Sequence, residues 1–161
     1  MKLTSDLIRQ RFRERGLKST PQRTAIYKAL VETTSHPSPE DLYQQVSRIH
    51  PMLSPNTVYY TLAVLRDAGL IREVHAGHHR ARFDANLFPH HHLICLGCEA
   101  IIDLMDETLN HLSPRTGVPG DFEVIGHQVE FRGYCGHCRR NARRMRRMPS
   151  RKHSVVHPIS H

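Results

Sequence analysis

Four cysteines in two Cys-x-x-Cys pairs form the clearest chemical pattern of the sequence. Cys95 and Cys98 make the first pair, Cys135 and Cys138 make the second, and 36 residues separate the two pairs. Each pair directs two sulfur atoms toward one point, and four thiolates at about 2.3 Å from a Zn²⁺ ion complete a tetrahedral site with no open position. The spacing therefore predicts one structural zinc ion, with two independent redox dithiols as the alternative.

A second pattern combines Asp84 with three consecutive histidines, His90, His91 and His92. Side chains alternate along a strand, so His90 and His92 share one face while His91 points to the other face together with Cys95. Imidazole nitrogens and carboxylate oxygens form a harder site than thiolates do, and such a site accepts Fe²⁺ or Mn²⁺. The pattern predicts an exchangeable metal ion beside the permanent one, unless the three histidines are simply solvated surface residues.

The elements that must position these residues begin with a repeated helix signal. A hydroxyl residue is followed by proline at Thr20, Ser38 and Ser54, which is the typical sequence of a capped helix start. We predict helices over residues 5–15, 21–33, 39–49 and 55–68. In the last helix, an apolar stripe must be buried because its members recur at helical spacing, namely Val58, Leu62 and Leu65.

Strand patterns follow these helices. Residues 70–74 and 80–84, joined by a turn over 75–79, complete a helix-turn-helix with a β-hairpin wing. Further on, we predict strands over 90–96 and 100–104, a helix over 105–112 and a strand pair between residues 122 and 134. The fold class is thus α+β, and residues 148–161 have no apolar periodicity and are predicted to be a disordered basic tail.

Charge is distributed unevenly along the 161 residues. Residues 1–83 carry 13 Lys and Arg against 7 Asp and Glu, residues 84–138 carry 2 against 8, and residues 139–161 carry 8 against none. The basic regions favour a polyanion such as nucleic acid. No apolar run approaches the roughly 18 residues of a membrane span, and no secretion signal is present, so we expect a cytoplasmic protein with reduced thiols and no membrane partner.

Several linked motifs in order resemble the ferric uptake regulator (Fur) family. The resemblance spans nearly everything from residue 3 to residue 138 and includes the run over residues 16–23, the segment that begins at His36, the segment that begins at Ser54, the Arg82-Phe83-Asp84 motif, the histidine cluster and both cysteine pairs. It implies a homodimeric, metal-responsive repressor with an N-terminal winged helix and a C-terminal α/β dimerisation domain. The implied division is residues 1–83 for DNA binding, 84–89 as a hinge and 90–147 for metal binding and dimerisation.

The resemblance also implies the ligands of the regulatory metal, which map onto His36, Asp84, His90, His92 and Asp103. Aspartate at position 103 is similar to the peroxide-responsive (PerR) branch, whereas iron- and zinc-responsive members usually hold glutamate at this position. In that branch a histidine ligand is oxidised, and the matching positions are His36 and His90. A further site of iron-responsive members keeps only two ligand side chains here, at His91 and His127, so we do not expect it to be complete.

For DNA recognition, the resemblance points to the helix over residues 55–67. Tyr59 is the expected base-contacting residue, since an aromatic ring edge can meet a thymine methyl group in the major groove. The residues expected to contact the operator, an inverted repeat in double-stranded DNA, are Asn56, Thr57, Tyr59, Tyr60 and Arg66. Relatives commonly carry a basic or amide residue at the position of Tyr60, so the operator preference stays open.

The function predicted from the sequence is a repressor that releases DNA when peroxide oxidises a histidine at bound iron. A sensor of iron, manganese or zinc level is the alternative within the family. We do not expect an enzyme, because the His-Glu-x-x-His signature of a zinc hydrolase is absent. A zinc-ribbon protein that binds RNA is disfavoured, because only 6% of the residues are aromatic and tryptophan is absent.

Overall fold

A computed structural model of the chain describes residues 4–75 and 81–147, with the side-chain description ending at residue 141. Four helices come first, and they are α1 (Ser5–Glu14), α2 (Pro21–Val31), α3 (Pro39–Val46) and α4 (Pro55–Asp67). The hydroxyl groups of Thr20, Ser38 and Ser54 cap α2, α3 and α4, each by accepting a backbone N–H of the first turn. The predicted helix starts are therefore confirmed.

These helices pack around one apolar core. The predicted stripe of α4 is fully enclosed, with Val58, Leu62 and Leu65 at most 1% exposed. The core also takes buried side chains from the other three helices and from the first sheet, among them Ile8, Phe12, Ile26, Leu30, Leu42 and Phe83. Burial of this stripe fixes which face of α4 remains available to a partner.

The first sheet has two antiparallel strands, β1 (Arg72–His75) and β2 (Ala81–Asp84). It follows α4 directly and forms the predicted wing. Asp84, which the sequence placed in the hinge, is the last residue of β2 and pairs with Arg72 of β1. Of the predicted wing turn over 75–79, only His75 belongs to the described residues.

The second sheet has the order β4-β3-β5, with β3 (His91–Cys95) at its centre. Strand β4 (Ile101–Leu104) pairs antiparallel with β3, and β5 (Glu130–Gly133) pairs parallel with it. A short helix α5 (Glu107–Asn110) lies between β4 and β5, and helix α6 (Gly136–Arg147) follows β5.

Two predictions for this part of the chain were wrong in detail. The helix predicted over 105–112 is a single turn, because it begins only after the cap residue Asp106. The strand pair predicted between residues 122 and 134 is one strand, β5, whose partner is β3. The preceding segment cannot extend the sheet, since the N–H of Phe122 closes a turn onto the carbonyl of Pro119 and Gly126 interrupts the alternation.

The predicted tail over 148–161, which contains His153, His157 and His161, lies outside the described residues. Among the residues that are described, none of the helices combines the length and the apolar character that crossing a membrane requires.

Candidate metal centres

The four cysteines meet in one cluster at the end of the second sheet. Their sulfur atoms lie within 4.8 Å of one another, and the sulfurs of Cys98 and Cys135 are 3.9 Å apart. Tetrahedral zinc with bonds of about 2.3 Å would place its sulfurs about 3.8 Å apart. Because none of the four cysteines forms a disulfide, the donor set and its spacing fit zinc.

The backbone around the cysteines also fits a bound ion. A side chain at Gly97 would come within 2.9 Å of both Cβ and Sγ of Cys138, so only glycine lets the first knuckle approach the second this closely. The backbone N–H of Cys135 donates to the sulfur of Cys95 at 3.2 Å, and this bond lowers the pKa of the Cys95 thiol to about 6. The hydrogen bond with the Cys135 sulfur instead raises the pKa of Cys138 to about 12. Four thiolates this close repel each other unless a cation lies between them.

The second cluster joins side chains from both halves of the molecule. One ligand atom from each of His36, His90, His92 and Asp103 lies within 4.8 Å of the others. The three histidines are at most 3% exposed. Buried histidines at this proximity are not the solvated surface residues that the sequence left as an alternative.

The fold explains how these residues meet. Asp103 on β4 is the direct cross-strand neighbour of His92 on β3, so both side chains rise from the same face of the sheet. His36 comes from the loop between α2 and α3, where its backbone adopts the left-handed conformation with φ of 49°. That conformation is uncommon outside glycine, and it places Nε2 of His36 3.1 Å from Oδ1 of Asp103.

Asp84 borders the same cluster from the end of β2. Its Oδ2 atom lies 3.0 Å from Nε2 of His90, yet the two atoms lack the angle of a hydrogen bond. Nε2 of His36 and Oδ1 of Asp103 are likewise buried without a hydrogen-bond partner. Buried polar atoms are almost always satisfied, and a cation among these nitrogen and carboxylate atoms would satisfy all three, so the residues fit a divalent metal.

Contacts behind the ligands orient two of the histidines. Nδ1 of His90 lies 2.8 Å from the carbonyl oxygen of Phe88, which directs its Nε2 into the cluster. The side-chain amide of Gln128 lies 3.0 Å from Nδ1 of His92. Burial lowers the pKa of His92, and the neighbouring His36 and His90 lower it further, which favours the neutral imidazole that binds metals. No sequence pattern pointed to Gln128, because its contact with His92 exists only in the folded chain.

His91 points away from this cluster, as the strand alternation predicted. Its ring stacks on the ring of His127 with centroids 5.8 Å apart. The N–H of Val129 donates to Nδ1 of His91, and Nε2 of His127 lies 2.6 Å from the carbonyl oxygen of Leu109. These two histidines form no part of either cluster.

Helix α4 presents the residues predicted to contact DNA. Tyr59 and Tyr60 are 50% and 66% exposed, and Asn56 is exposed beside them. Thr57 is half-buried, and its hydroxyl lies 2.9 Å from that of the cap residue Ser54. The hydroxyl of Tyr59 donates to the carboxylate of Glu40 on α3, which fixes the ring.

Arg66 differs from the other predicted DNA contacts. Its guanidinium donates to Glu73 at 2.8 Å and to Asp67 at 3.1 Å, and thereby ties the end of α4 to β1. These bonds pair the exposed guanidinium with two carboxylates of the same chain.

A helix-turn-helix with a two-stranded wing, joined to a small mixed sheet that carries two potential metal clusters, defines the class of protein. The chain belongs to the ferric uptake regulator family, whose model matches residues 14–132. The sequence is 36% identical over 126 residues to the peroxide-responsive repressor PerR of Staphylococcus aureus. This match covers 78% of this chain and 85% of the relative.

Solved structures share the fold. The ferric uptake regulator of Helicobacter pylori, described as having three functional metal-binding sites, superposes with a TM-score of 0.66 at 23% identity over 86% of this chain and 97% of that one. A zinc-bound manganese uptake regulator superposes with a TM-score of 0.62 at 29% identity, covering 79% of this chain and 97% of that chain.

Proposed function

We propose that the protein is a metal-dependent transcriptional repressor that binds double-stranded DNA as a homodimer and senses peroxide by oxidation of a histidine ligand. The observation that carries this proposal is the buried cluster in which His36 of the helical half meets His90, His92 and Asp103 of the sheet half. The identity to a peroxide-responsive repressor supports the choice of signal. The protein then acts in the cytoplasm as a regulator and is no enzyme.

The two clusters take different metals. Cys95, Cys98, Cys135 and Cys138 hold one structural Zn²⁺ per chain, and the cluster of His36, Asp84, His90, His92 and Asp103 holds one regulatory Fe²⁺ or Mn²⁺. Thiolates favour zinc, whereas imidazole and carboxylate suit the harder divalent ions. The buried, unpartnered atoms of His36, Asp84 and Asp103 support all three as ligands.

The regulatory cluster links metal binding to the arrangement of the two halves. Residues 1–83 form the DNA-binding domain in this proposal, residues 84–89 form the hinge, and residues 90–147 form the dimerisation domain. A ligand that binds only one arrangement stabilises it by about 2.7 kcal/mol at a hundredfold excess over its dissociation constant. The metal thus selects the arrangement that binds DNA.

Peroxide reverses this selection by changing a ligand. Iron bound in the cluster supplies the redox chemistry that activates peroxide. In the net reaction the O–O bond of hydrogen peroxide breaks, one oxygen is added at an imidazole carbon whose hydrogen moves to a ring nitrogen, and the other oxygen leaves as water. The histidine is oxidised by two electrons and the peroxide is reduced by two. His36 and His90 are the expected targets, and a modified ring binds the metal less well.

An exposed apolar row on the second sheet supports homodimerisation. Leu93 on β3 lies between its register partners Ile102 on β4 and Phe131 on β5, and the three side chains are 38%, 51% and 46% exposed. An apolar row of this kind at the centre of a sheet is typical of a surface that another chain covers. A two-fold dimer presents two α4 helices, which suits an operator that is an inverted repeat.

Helix α4 reads the operator in this proposal through Asn56, Thr57, Tyr59 and Tyr60. Arg66 contributes to DNA binding only if it leaves its bonds with Glu73 and Asp67. The bond between Tyr59 and Glu40 holds the ring in place while leaving half of the side chain exposed.

The test is a binding titration with a duplex selected from a random-sequence pool by the Mn²⁺ form of the protein. We expect tight binding with Mn²⁺ and weak binding after its removal. Tyr59→Ala should weaken binding by about 1–3 kcal/mol, the range for one specific base contact, with dimerisation and zinc content intact. Tyr59→Phe is the matched control, because it keeps the ring and removes only the bond to Glu40. Equal affinity of the Tyr59→Ala variant for the selected and a random duplex would contradict the role of α4.

A sensor of metal level is the second candidate, favoured by the likeness to the zinc-bound manganese uptake regulator. In that case the same cluster reports occupancy, and oxidation plays no part. An Fe²⁺ form that keeps binding DNA after peroxide would select this candidate.

A further inference from the structure

A cavity of about 520 Å³ lies against one side of the cluster that includes His36 and Asp103. Three of the five proposed ligands line this cavity, and these are His36, Asp84 and Asp103. His90 and His92 are not among its described lining residues. The cavity therefore opens onto one defined side of the metal site.

The ligands are otherwise closed off from solvent. The side chains of His36, His90 and Asp84 are 2%, 0% and 7% exposed, and only Asp103, at 25%, is substantially accessible. Peroxide that oxidises a buried ligand has to enter the molecule first. A cavity whose wall includes His36 and Asp103 supplies this entry.

The cavity wall suits a small, neutral, hydrogen-bonding molecule. Val31, Leu87 and Phe88 provide apolar surface, while hydroxyl and amide groups come from Thr33, Thr34 and Asn86. The charged groups of the wall are of both signs, with the carboxylates of Asp84 and Asp103 and the guanidinium of Arg11, so they do not oppose entry of a neutral molecule. Hydrogen peroxide carries no charge and both donates and accepts hydrogen bonds, and a volume far above the roughly 30 Å³ of one water molecule admits it.

The cysteine cluster lies away from this cavity. Cys95 and Cys135 border a different cleft, of about 220 Å³, together with Leu93 and Phe131. Leu93 and His92 are consecutive on β3, so they point to opposite faces of the sheet. A molecule that follows the larger cavity meets the histidine and carboxylate ligands and none of the thiols.

On the basis of the proposed function, we infer that the cavity between the end of α2 and residues 85–88 is the route by which hydrogen peroxide reaches the regulatory metal. Peroxide enters past Val31, Thr34 and Phe88, gives one oxygen to an imidazole carbon, and the other oxygen leaves as water along the same route. No further oxidant or reductant is required for this exchange.

Two substitutions fill the cavity from different points of its wall. Val31→Phe adds volume at the end of α2, and Thr34→Phe adds it at an exposed position of the following loop. Thr33 is left unchanged, because its hydroxyl bonds to Ser35 and shapes the loop that carries His36. Val31→Ala is the matched control that enlarges the cavity, and Ile49→Phe adds the same ring at a surface position that is 78% exposed.

Two measurements follow access to the metal. The first is the rate of histidine oxidation in the Fe²⁺ form, read by mass spectrometry of peptides. The second is the relaxation of water protons by the Mn²⁺ form, which reports exchange of water at the metal and requires no peroxide. We expect both filled variants to lower both readouts severalfold while Mn²⁺ affinity stays unchanged, and the two controls to match the original protein or exceed it.

The outcomes separate this inference from the proposed function. Unchanged relaxation in both filled variants overturns the route, whatever peroxide does. Loss of Mn²⁺ binding in both filled variants also overturns the route. It would mean that the protein itself fills the cavity once the metal is bound, so that no passage is left for peroxide. If filling lowers relaxation but the unmodified Fe²⁺ form shows no histidine oxidation, the route stands and the peroxide-sensing function is wrong.

Discussion

The cysteine cluster and the histidine-carboxylate cluster are built from similar numbers of ligands but are assembled in different ways. The four cysteines come from two short segments at one end of a single sheet, and Cys98 is exposed to solvent. The other cluster takes His36 from a loop of the helical half, Asp84 from the wing, and His90, His92 and Asp103 from the second sheet. It is also buried.

In the proposed function, this difference separates a permanent metal from a regulatory one. In this proposal, metal bound by the cysteines depends only on the local fold, so its affinity would not change if the two halves moved. Metal bound by the other cluster requires both halves in one arrangement, and by linkage it stabilises that arrangement in turn. A signal can therefore act at the second cluster without disturbing the first.

The largest expected effect comes from opening the cysteine cluster. Cys135→Ser leaves three thiolates, and since structural zinc contributes folding free energy directly, we expect loss of zinc and destabilisation by about 4 kcal/mol or more. Zinc analysis after mild chelation and thermal unfolding measure both. His137→Ser is the control, because His137 lies in the same knuckle and contacts Asn141. Full zinc retention at an unchanged melting temperature in Cys135→Ser would disprove the assignment.

Removal of His36 should affect only the regulatory cluster. His36→Ala deletes the ligand that comes from the loop between α2 and α3, so we expect Mn²⁺ affinity to fall by more than about 100-fold, beyond the range typical of residues behind the ligands. The zinc content, and the melting temperature measured without Mn²⁺, should stay close to those of the original protein. Calorimetric titration with Mn²⁺ measures the affinity, with His50→Ala as the control. A variant that still binds DNA in response to Mn²⁺ would show that the cluster does not link the domains.

A smaller effect is expected at Gln128, which contacts His92 from behind. Gln128→Leu removes the polar partner of Nδ1, and we expect Mn²⁺ affinity to fall by about 10–100-fold. Gln128→Glu replaces the amide nitrogen that faces Nδ1 with a carboxylate oxygen, which accepts from a protonated Nδ1 and should restore most of the affinity. Equal affinities for the leucine variant and the original protein would mean that the ring of His92 is held by packing alone.

The smallest change is expected from Asp103→Glu, which keeps the carboxylate and adds one methylene group. Because Asp103 lies directly opposite His92, we expect the longer side chain to alter the coordination or to crowd the space beside the metal. We expect DNA binding with Mn²⁺ to persist and histidine oxidation with Fe²⁺ to slow severalfold. Asp106→Glu, at the cap of α5, is the control. An unchanged oxidation rate would mean that the choice of carboxylate at 103 does not set the peroxide response.

The same difference between the clusters explains what the sequence could reveal. Two Cys-x-x-Cys pairs and three hydroxyl-proline helix starts are local signals, and they led to the right cluster and the right helices. Asp103 meets His92 only through the register of β3 and β4, and its place in the site came from family resemblance. The contact of Gln128 and the cavity beside His36 depend on segments that are distant in the sequence. The prediction of a strand pair between residues 122 and 134 was wrong because strand pairing is not a local property.

The most direct test of the two-cluster account is mass spectrometry of the intact and digested protein before and after peroxide, combined with DNA binding. With Fe²⁺ bound, equimolar peroxide should release the selected duplex and add one oxygen to a peptide that contains His36 or His90, while zinc stays bound. The Mn²⁺ form should stay bound to the duplex and should show no change in mass. Release of zinc with formation of cysteine disulfides, and with both histidines unmodified, would contradict the account.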